Sequence, residues 1–418
     1  MARSLIICPT HTHADTLFAS VASVQAQHDT DWEMVVICDG APARTQDVLR
    51  AICASDPRIS FEVHPKGARL GEAYRDPVIR RSDAAFICHL GDDDLWHQDH
   101  LATMTGMLDR ADMAMQATLD QGPGGTWSWS FANLGAEPSL TLAKRPDPIM
   151  LTAGLNSFAV RREAYLSLAR GWASGPSGMP SDVHMILEYL TTPGLRIASS
   201  AQATFAKIPS RVARKDYTPA RRLVDLMPIL ARINTPGFLH RARTEAVLGK
   251  PMMRALAFGG TASAPDLDRA FMRIGVRAVA PNEDPITGIN GALMTVPLTT
   301  SQRDQCEMAW LLLRLDTDPE AAKRLKLLAE NGLAWLLTPY LEAFGEYDMA
   351  LSLQATDVLE QNSEQIEIAQ AYRLRVLILT GQLAQAKSAI KAAHSKFPDA
   401  GWLDQMKRWY AHAVSKTG

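Results

Sequence analysis

Apolar residues first come in short dense runs and later at helical spacing. Residues 4–8 form one run, ending at Pro9 and Thr10, and residues 32–38 and 59–64 form two more of strand length. A fourth, Ala84, Ala85, Phe86, Ile87, Cys88, His89 and Leu90, stops at Gly91. Between the runs, residues 14–27 carry Leu17, Val21 and Val24 at helical spacing, and residues 45–54 also read as a helix. Strands alternating with helices predict an α/β domain, a parallel sheet with helices on both faces. The stretch 121–129, rich in glycine and aromatics, predicts a loop or hairpin.

From about Pro219 the texture turns helical. Residues 251–290 are interrupted by Gly and Pro and show no clean period, whereas the chain from Arg303 onward is almost entirely helical. Two units starting at Gly345 and Gly381, 36 residues apart, share a Gly-x-aromatic/Leu-x-x-Ala pattern. That period is close to the tetratricopeptide length. Stacked helical pairs and a plain helical bundle both satisfy it. The division predicted is 1–218, an α/β domain; 219–300, a mainly helical connection with no assigned role; and 301–418, a helical domain. A chain of 418 residues exceeds one ordinary core, so several domains are expected.

Charge narrows the range of partners. With 43 Lys and Arg against 45 Asp and Glu, the chain has no basic excess for nucleic acid, so anion recognition must be local. The five cysteines include no CxxC pair, and Cys8, Cys38 and Cys88 sit in apolar runs. Reduced core thiols and a cytoplasmic protein follow as expectations. Strand-like sequence begins at Ser4, leaving no room for a signal peptide, and no apolar run reaches membrane-spanning length. Peripheral contact with the inner face of a membrane stays compatible with this.

The chemistry concentrates at Asp92, Asp93 and Asp94, which follow the fourth apolar run, with no Lys or Arg in the next ten residues. Three adjacent carboxylates repel one another unless they face water or hold a hard divalent cation through oxygen. They emerge at the carboxyl edge of the predicted sheet, where open α/β folds bind ligands. A solvated acidic loop is the plain alternative.

Several segments together resemble the family 2 glycosyltransferases, whose nucleotide-sugar-binding domain has the GT-A fold. They are Ser4 to Thr10 with the following helix, Trp32 to Gly40, Gly71-Glu72-Ala73-Tyr74-Arg75, Gly91-Asp92-Asp93-Asp94-Leu95-Trp96, and Ser181-Asp182-Val183. The resemblance covers about residues 3–215. It implies a metal-dependent transfer, with inversion, of a sugar from a nucleoside diphosphate, UDP-type favoured, to an acceptor hydroxyl. The acceptor implied is a polysaccharide, a glycolipid or a protein-linked glycan.

The resemblance assigns nucleotide contacts to Thr10, Asp39 and Arg75, and a carboxylate at Asp39 can accept from a nucleobase imide. The triplet matches the metal motif. Asp94, with Asp92, would hold Mn2+ or Mg2+, and Asp92 and Asp93 would contact the ribose or a metal-bound water. Asp182 would be the general base. An inverting displacement needs one such carboxylate and no second nucleophilic one. Glu188 is the runner-up base. The chain departs from the family at Cys38 and Ser181, where acids are usual. Those departures keep open a catalytically silent nucleotide-sugar-fold scaffold. A nucleotidyltransferase is weaker, because residues 9–12 lack a Gly-rich basic loop.

Further residues carry weaker expectations. Asn156, Ser157, Arg161 and Arg162 fall where the acceptor usually binds. Lys207, Arg211, Arg214 and Lys215 form a basic cluster able to cover a diphosphate. Trp127 and Trp129 read as local packing before sugar stacking. His11 and His13 read as loop, and His89, His97 and His100 do not share one face. Asp182 could equally cap its helix. The C-terminal helices offer a surface for a protein partner or self-association.

Overall fold

A computed structural model of the protein describes residues 2–121, 127–130 and 134–135, most of 154–208, 218–239, and, towards the C-terminus, chiefly 319–328, 380–398 and 401–415. Arg211, Arg214, Lys215, the side chain of Trp129, the stretch 251–290 and the repeat unit at Gly345 lie outside the described residues. The chain divides into two compact units, Met1–Gly135 with Pro148–Ala246, and Ala136–Asp147 with Val247–Gly418. The first unit thus runs beyond residue 218.

In the first unit, β1 (Ser4–Thr10), α1 (Ala14–Gln25), β2 (Trp32–Asp39), α2 (Ala43–Ser55) and β3 (Ile59–His64) alternate as the pattern predicts. Then come α3 (Arg75–Arg81), β4 (Phe86–His89), β5 (Asp94–Trp96), α4 (His100–Leu108), β6 (Met113–Gln116), β7 (Thr118–Gln121) and β8 (Trp127–Ser130). The unit continues with β9 (Phe158–Arg161), α5 (Arg162–Leu166), α6 (Ser181–Thr191), β10 (Ile197–Ser200), β11 (Phe205–Lys207) and α7 (Pro219–Leu230). The main sheet has seven strands in the order β10-β6-β9-β4-β1-β2-β3. Strands β4, β1, β2 and β3 run parallel, as does the β10–β6 pair, while β9 runs antiparallel to both β4 and β6. The sheet is therefore mostly, not wholly, parallel. Strands β7 and β8 pair antiparallel, with Gln121 opposite Trp127, the hairpin alternative.

The strands are buried because their side chains are apolar on both faces: Leu5, Ile6, Ile7, Cys8, Met34, Val36, Ile37 and Ile87 are essentially inaccessible. Register then aligns the strand ends. Thr10 lies opposite Cys38, Asp39 opposite His64, and Ile7 opposite His89. The carboxyl ends of β1, β2 and β4 thus share one edge of the sheet. A second, four-stranded sheet, β5-β11-β7-β8, stands beside it and pairs Lys207 with both Asp94 and Asp120.

Helix α7 begins at a Thr218 cap, whose hydroxyl accepts from the Arg221 N–H at 3.3 Å, with Pro219 in its first turn. It packs on α1, where Leu226, Ile229 and Ile233 join Ala19 and Leu95 in one apolar cluster. Each such side chain is worth about 1.5–3 kcal/mol of burial. The α/β class read from sequence is the fold of this unit. Cys8, Cys38 and Cys88 are free, buried thiols, and burial pushes the Cys88 thiol up to about 12.

In the second unit, α8 spans Pro319–Leu328, α9 Leu383–Lys396 and α10 Gly401–Ser415. Gly381 stands at φ 73°, a left-handed turn that ends one helical stretch before α9 begins. Ala386 and Ala393 of α9 and Leu403, Met406 and Trp409 of α10 are buried. The second predicted repeat unit is therefore a helix-turn-helix. Among the described residues, no helix is long and apolar enough to cross a membrane.

Candidate active site

Each aspartate of the triplet meets a different element. The Asp92 Oδ1 and His13 Nδ1 atoms are 2.8 Å apart, and this hydrogen bond raises the His13 pKa. Asp93 is ion-paired with Arg222, in the first turn of α7. Asp94, first residue of β5, accepts from the Asn156 side-chain amide. Burial, and next the Asp93 charge, push the Asp94 carboxyl up to about 8, with Lys207 acting the other way. Gly91 gives the triplet its room: a Cβ there would stand 2.5 Å from Asp94 Oδ2.

Two observations bear on a cation. One ligand atom each from His13, Asp92 and Asp93 lies within 4.8 Å of the others. Asp94 Oδ1 is buried and has no hydrogen-bond donor among the described residues. A mixed oxygen and imidazole set of this kind fits a divalent ion of the Mn2+ type. Asp94, expected from the resemblance as the most direct ligand, is the most buried of the three, at 4% exposed, and faces Asn156.

Asp39, at the end of β2, is almost fully buried, and both its oxygens are engaged. Gly67 N–H donates to Oδ1 at 2.6 Å and the Lys66 ammonium pairs with Oδ2. Gly71, at φ 63°, packs on the same carboxylate, where a Cβ would come within 2.7 Å of its carbon. The buried Thr10 hydroxyl has no hydrogen-bond partner among the described residues. Arg75 is also buried. It donates to the Leu70 carbonyl at 3.2 Å, and its guanidinium lies 4.3 Å from the Trp172 ring centre. Burial lowers its pKa to about 10 against the raising pull of Glu72, Asp182 and Asp39, so one guanidinium is felt by both Asp39 and Asp182.

Asp182 occupies the first turn of α6, where its Oδ1 accepts from the N–H of Val183 at 2.9 Å. Gly154 brings this residue and the triplet together. A Cβ at Gly154 would lie 3.2 Å from Lys207 Nζ and 3.9 Å from Asp182 Oδ2. Two residues further on, Asn156 binds Asp94 and accepts from the Gly91 N–H at 2.7 Å. Glu188 lies 3.8 Å from His184 Nε2, one turn along the same helix.

Other sequence candidates have local roles. Arg161 donates to the Ala111 carbonyl, and Arg162 to those of Ile79 and Arg80. Ser157 closes the turn at Gly154, and the Trp127 ring meets Phe238 edge-on at 5.9 Å. His89 accepts from Trp172 Nε1 at 3.3 Å, while His100 packs on Trp96 and pairs with the Thr204 hydroxyl at 2.8 Å. Two participants escaped the sequence reading. The sequence places His13 in a loop, and its position three residues after β1 puts it at the ligand edge. Arg222 fell in the segment without a role, and no local pattern singles it out.

Residues 5–166 match the family model described as Glycosyl transferase family 2. Over 96 residues the chain is 27% identical to TuaG of Bacillus subtilis (strain 168), provisionally described as a teichuronic acid biosynthesis glycosyltransferase; the overlap spans 23% of this chain and 38% of that protein. Among solved structures, the mannosyltransferase PcManGT of Pyrobaculum calidifontis in complex with GDP-Man and Mn2+ is similar at 14% identity and a TM-score of 0.37, covering 86% of this chain and 88% of that one. S. aureus TarS 1–349 in complex with UDP-GlcNAc is similar at 10% identity and a TM-score of 0.40, covering 95% and 92%. Residues 5–166, with the sheet order described above, are thus a family 2 glycosyltransferase domain of the GT-A fold.

Proposed function

We propose that the protein is a glycosyltransferase that moves a sugar, with inversion, from a nucleoside-diphosphate donor of the UDP type to an acceptor hydroxyl on a polysaccharide, glycolipid or protein-linked glycan. The observation that carries this reading is the convergence at one sheet edge. Asp39 ends β2, beside β1 and, one strand further, β4, which leads into the triplet, and Gly154 lies between Asp182 and the Lys207 that pairs with Asp94 across β11 and β5.

In this reading Asp39 accepts a hydrogen bond from the nucleobase, with the Thr10 hydroxyl beside it. His13, Asp92 and Asp93 would hold Mn2+ or Mg2+, with Asp94 supplying a further oxygen, and the imidazole nitrogen favours the transition ion. A bound divalent cation screens the charge that builds on the departing diphosphate. Lys207 adds a second positive group on that side. The Asp182 carboxylate takes the proton of the acceptor hydroxyl as its oxygen bonds to the anomeric carbon. The bond from that carbon to the phosphate oxygen breaks, and the electron pair leaves with the nucleoside diphosphate.

A catalytically silent scaffold is the second reading, favoured by Cys38 and Ser181 at positions where the family usually has acids. Transfer assays over a panel of nucleotide sugars with Mn2+ separate the two. Asp182→Asn is expected to lower kcat by roughly 100- to 10,000-fold with nucleotide affinity kept. Full turnover in that variant would remove Asp182 as the base, and absence of nucleotide binding by the wild type would remove the enzyme reading.

A further inference from the structure

We propose that Arg69 is a positioning residue that links nucleotide occupancy at Asp39 to the placement of Asp182. The inference rests on the reading of those two residues given above. Its starting observation is an unusual concentration of hydrogen bonds on one exposed-loop arginine. Arg69 Nη1 donates to the carbonyls of Gly175 at 3.0 Å and Pro176 at 3.3 Å, and Nη2 donates to that of Met179 at 2.5 Å. A planar fork with five N–H donors can hold three carbonyls at once, whereas an ammonium on a flexible stem cannot fix them in the same plane.

The segment so held runs directly into α6. The Pro180 carbonyl accepts from the His184 N–H at 3.0 Å, and a Cβ at Gly175 would stand 2.9 Å from the His184 ring. Gly175, Pro176 and Met179 are therefore held by the Arg69 guanidinium, and Gly175 also abuts His184 of the helix that carries Asp182. The position of this segment fixes where that carboxylate sits.

The other end of the link is Asp39. Lys66 Nζ, which pairs with Asp39, also donates to the Arg69 carbonyl at 2.6 Å, and Gly67 N–H occupies the second Asp39 oxygen. A carboxylate accepts up to about four hydrogen bonds, so a nucleobase N–H that bonds to Asp39 shares the group with these two donors. Both belong to the loop that carries Arg69, so a nucleobase that draws on the Asp39 charge loosens their hold on it and reaches the backbone from which the guanidinium projects. The base loop follows because three hydrogen bonds tie it there. Arg69 touches no reacting atom in this scheme.

The test uses the full chain, UDP with Mn2+ as the probe, and three readouts: UDP affinity by calorimetry, amide exchange of residues 179–190 with and without UDP, and donor KM against kcat. In the wild type, UDP is expected to slow exchange in that segment. In Arg69→Ala the UDP affinity should stay within about twofold, the exchange response should vanish and kcat should fall about tenfold or more, the scale expected for a misplaced catalytic group. Arg69→Lys keeps the charge and the loop packing, and it should behave like the alanine variant. UDP binding without an exchange response in the wild type, or a wild-type kcat in Arg69→Lys, overturns the coupling alone. Failure of the wild type to bind any nucleotide overturns the function on which it rests.

Discussion

The Arg222 guanidinium closes an ion pair on Asp93, a residue 129 positions earlier in the chain, with both side chains largely shielded from water. Arg222 comes from α7, beyond the segment that matches the family model, so this helix completes the acidic site from outside it. Breaking a buried pair from one side leaves a charge without its counterion, which costs more than the pair itself contributes.

Arg222→Met should therefore lower the unfolding free energy by about 3 kcal/mol. Adding Asp93→Asn to it should recover part of that loss. Urea denaturation of the two single variants and the double variant measures the coupling. Additive effects would show that the pair does not hold α7 to the site.

His13 should matter to cation binding more than its loop position implies. His13→Asn is expected to weaken Mn2+ binding, measured by calorimetry or by the electron paramagnetic signal of the free ion, by about tenfold or more. His11→Asn, at the neighbouring loop position, should leave it unchanged. Equal affinities in both variants would place the ion on the carboxylates alone.

His89 and His100, buried and uncharged, should each withdraw stability on mild acidification, against the opposite pull of Asp94, whose carboxyl is raised to about 8. Burial drives both down to about 3, from an unfolded value of 6.5. As pH falls below 6.5 the unfolded chain takes up these protons and the folded chain does not until about 3, so the contribution of each histidine is lost across that window and kept above it. The slope is about 1.4 kcal/mol per pH unit for each histidine. Denaturation at pH 7.5, 6.5, 5.5 and 4.5 isolates the histidine contribution as the difference between wild type and His100→Gln, whose slopes should differ by close to one proton's worth.

The aspartate triplet was legible because adjacent carboxylates after an apolar run have few stable uses, and β4 does lead into them. The alternation of strands and helices was legible for the same reason, since period and apolar density are local properties. The glycine- and aromatic-rich stretch between β7 and β8 suits a loop as well as a hairpin, and no local pattern marks β9 as antiparallel. A four-residue strand can pair in either direction, and only the neighbours β4 and β6 decide which.

The partners of the aspartates were not legible. Asn156 lies 62 positions from Asp94 and His13 lies 79 from Asp92. The residues between carry no pattern that encodes those meetings. A sequence states which groups are chemically able to bind a cation or take a proton, because that depends on residue type and on a strand ending nearby. By itself, it determined the α/β class, the ligand edge and the acids and base worth considering. Tertiary structure alone decided which carboxylate meets the imidazole, which meets the guanidinium and which is buried against an amide. Those choices follow from packing between distant elements, where burial and opposing charge outweigh any local preference.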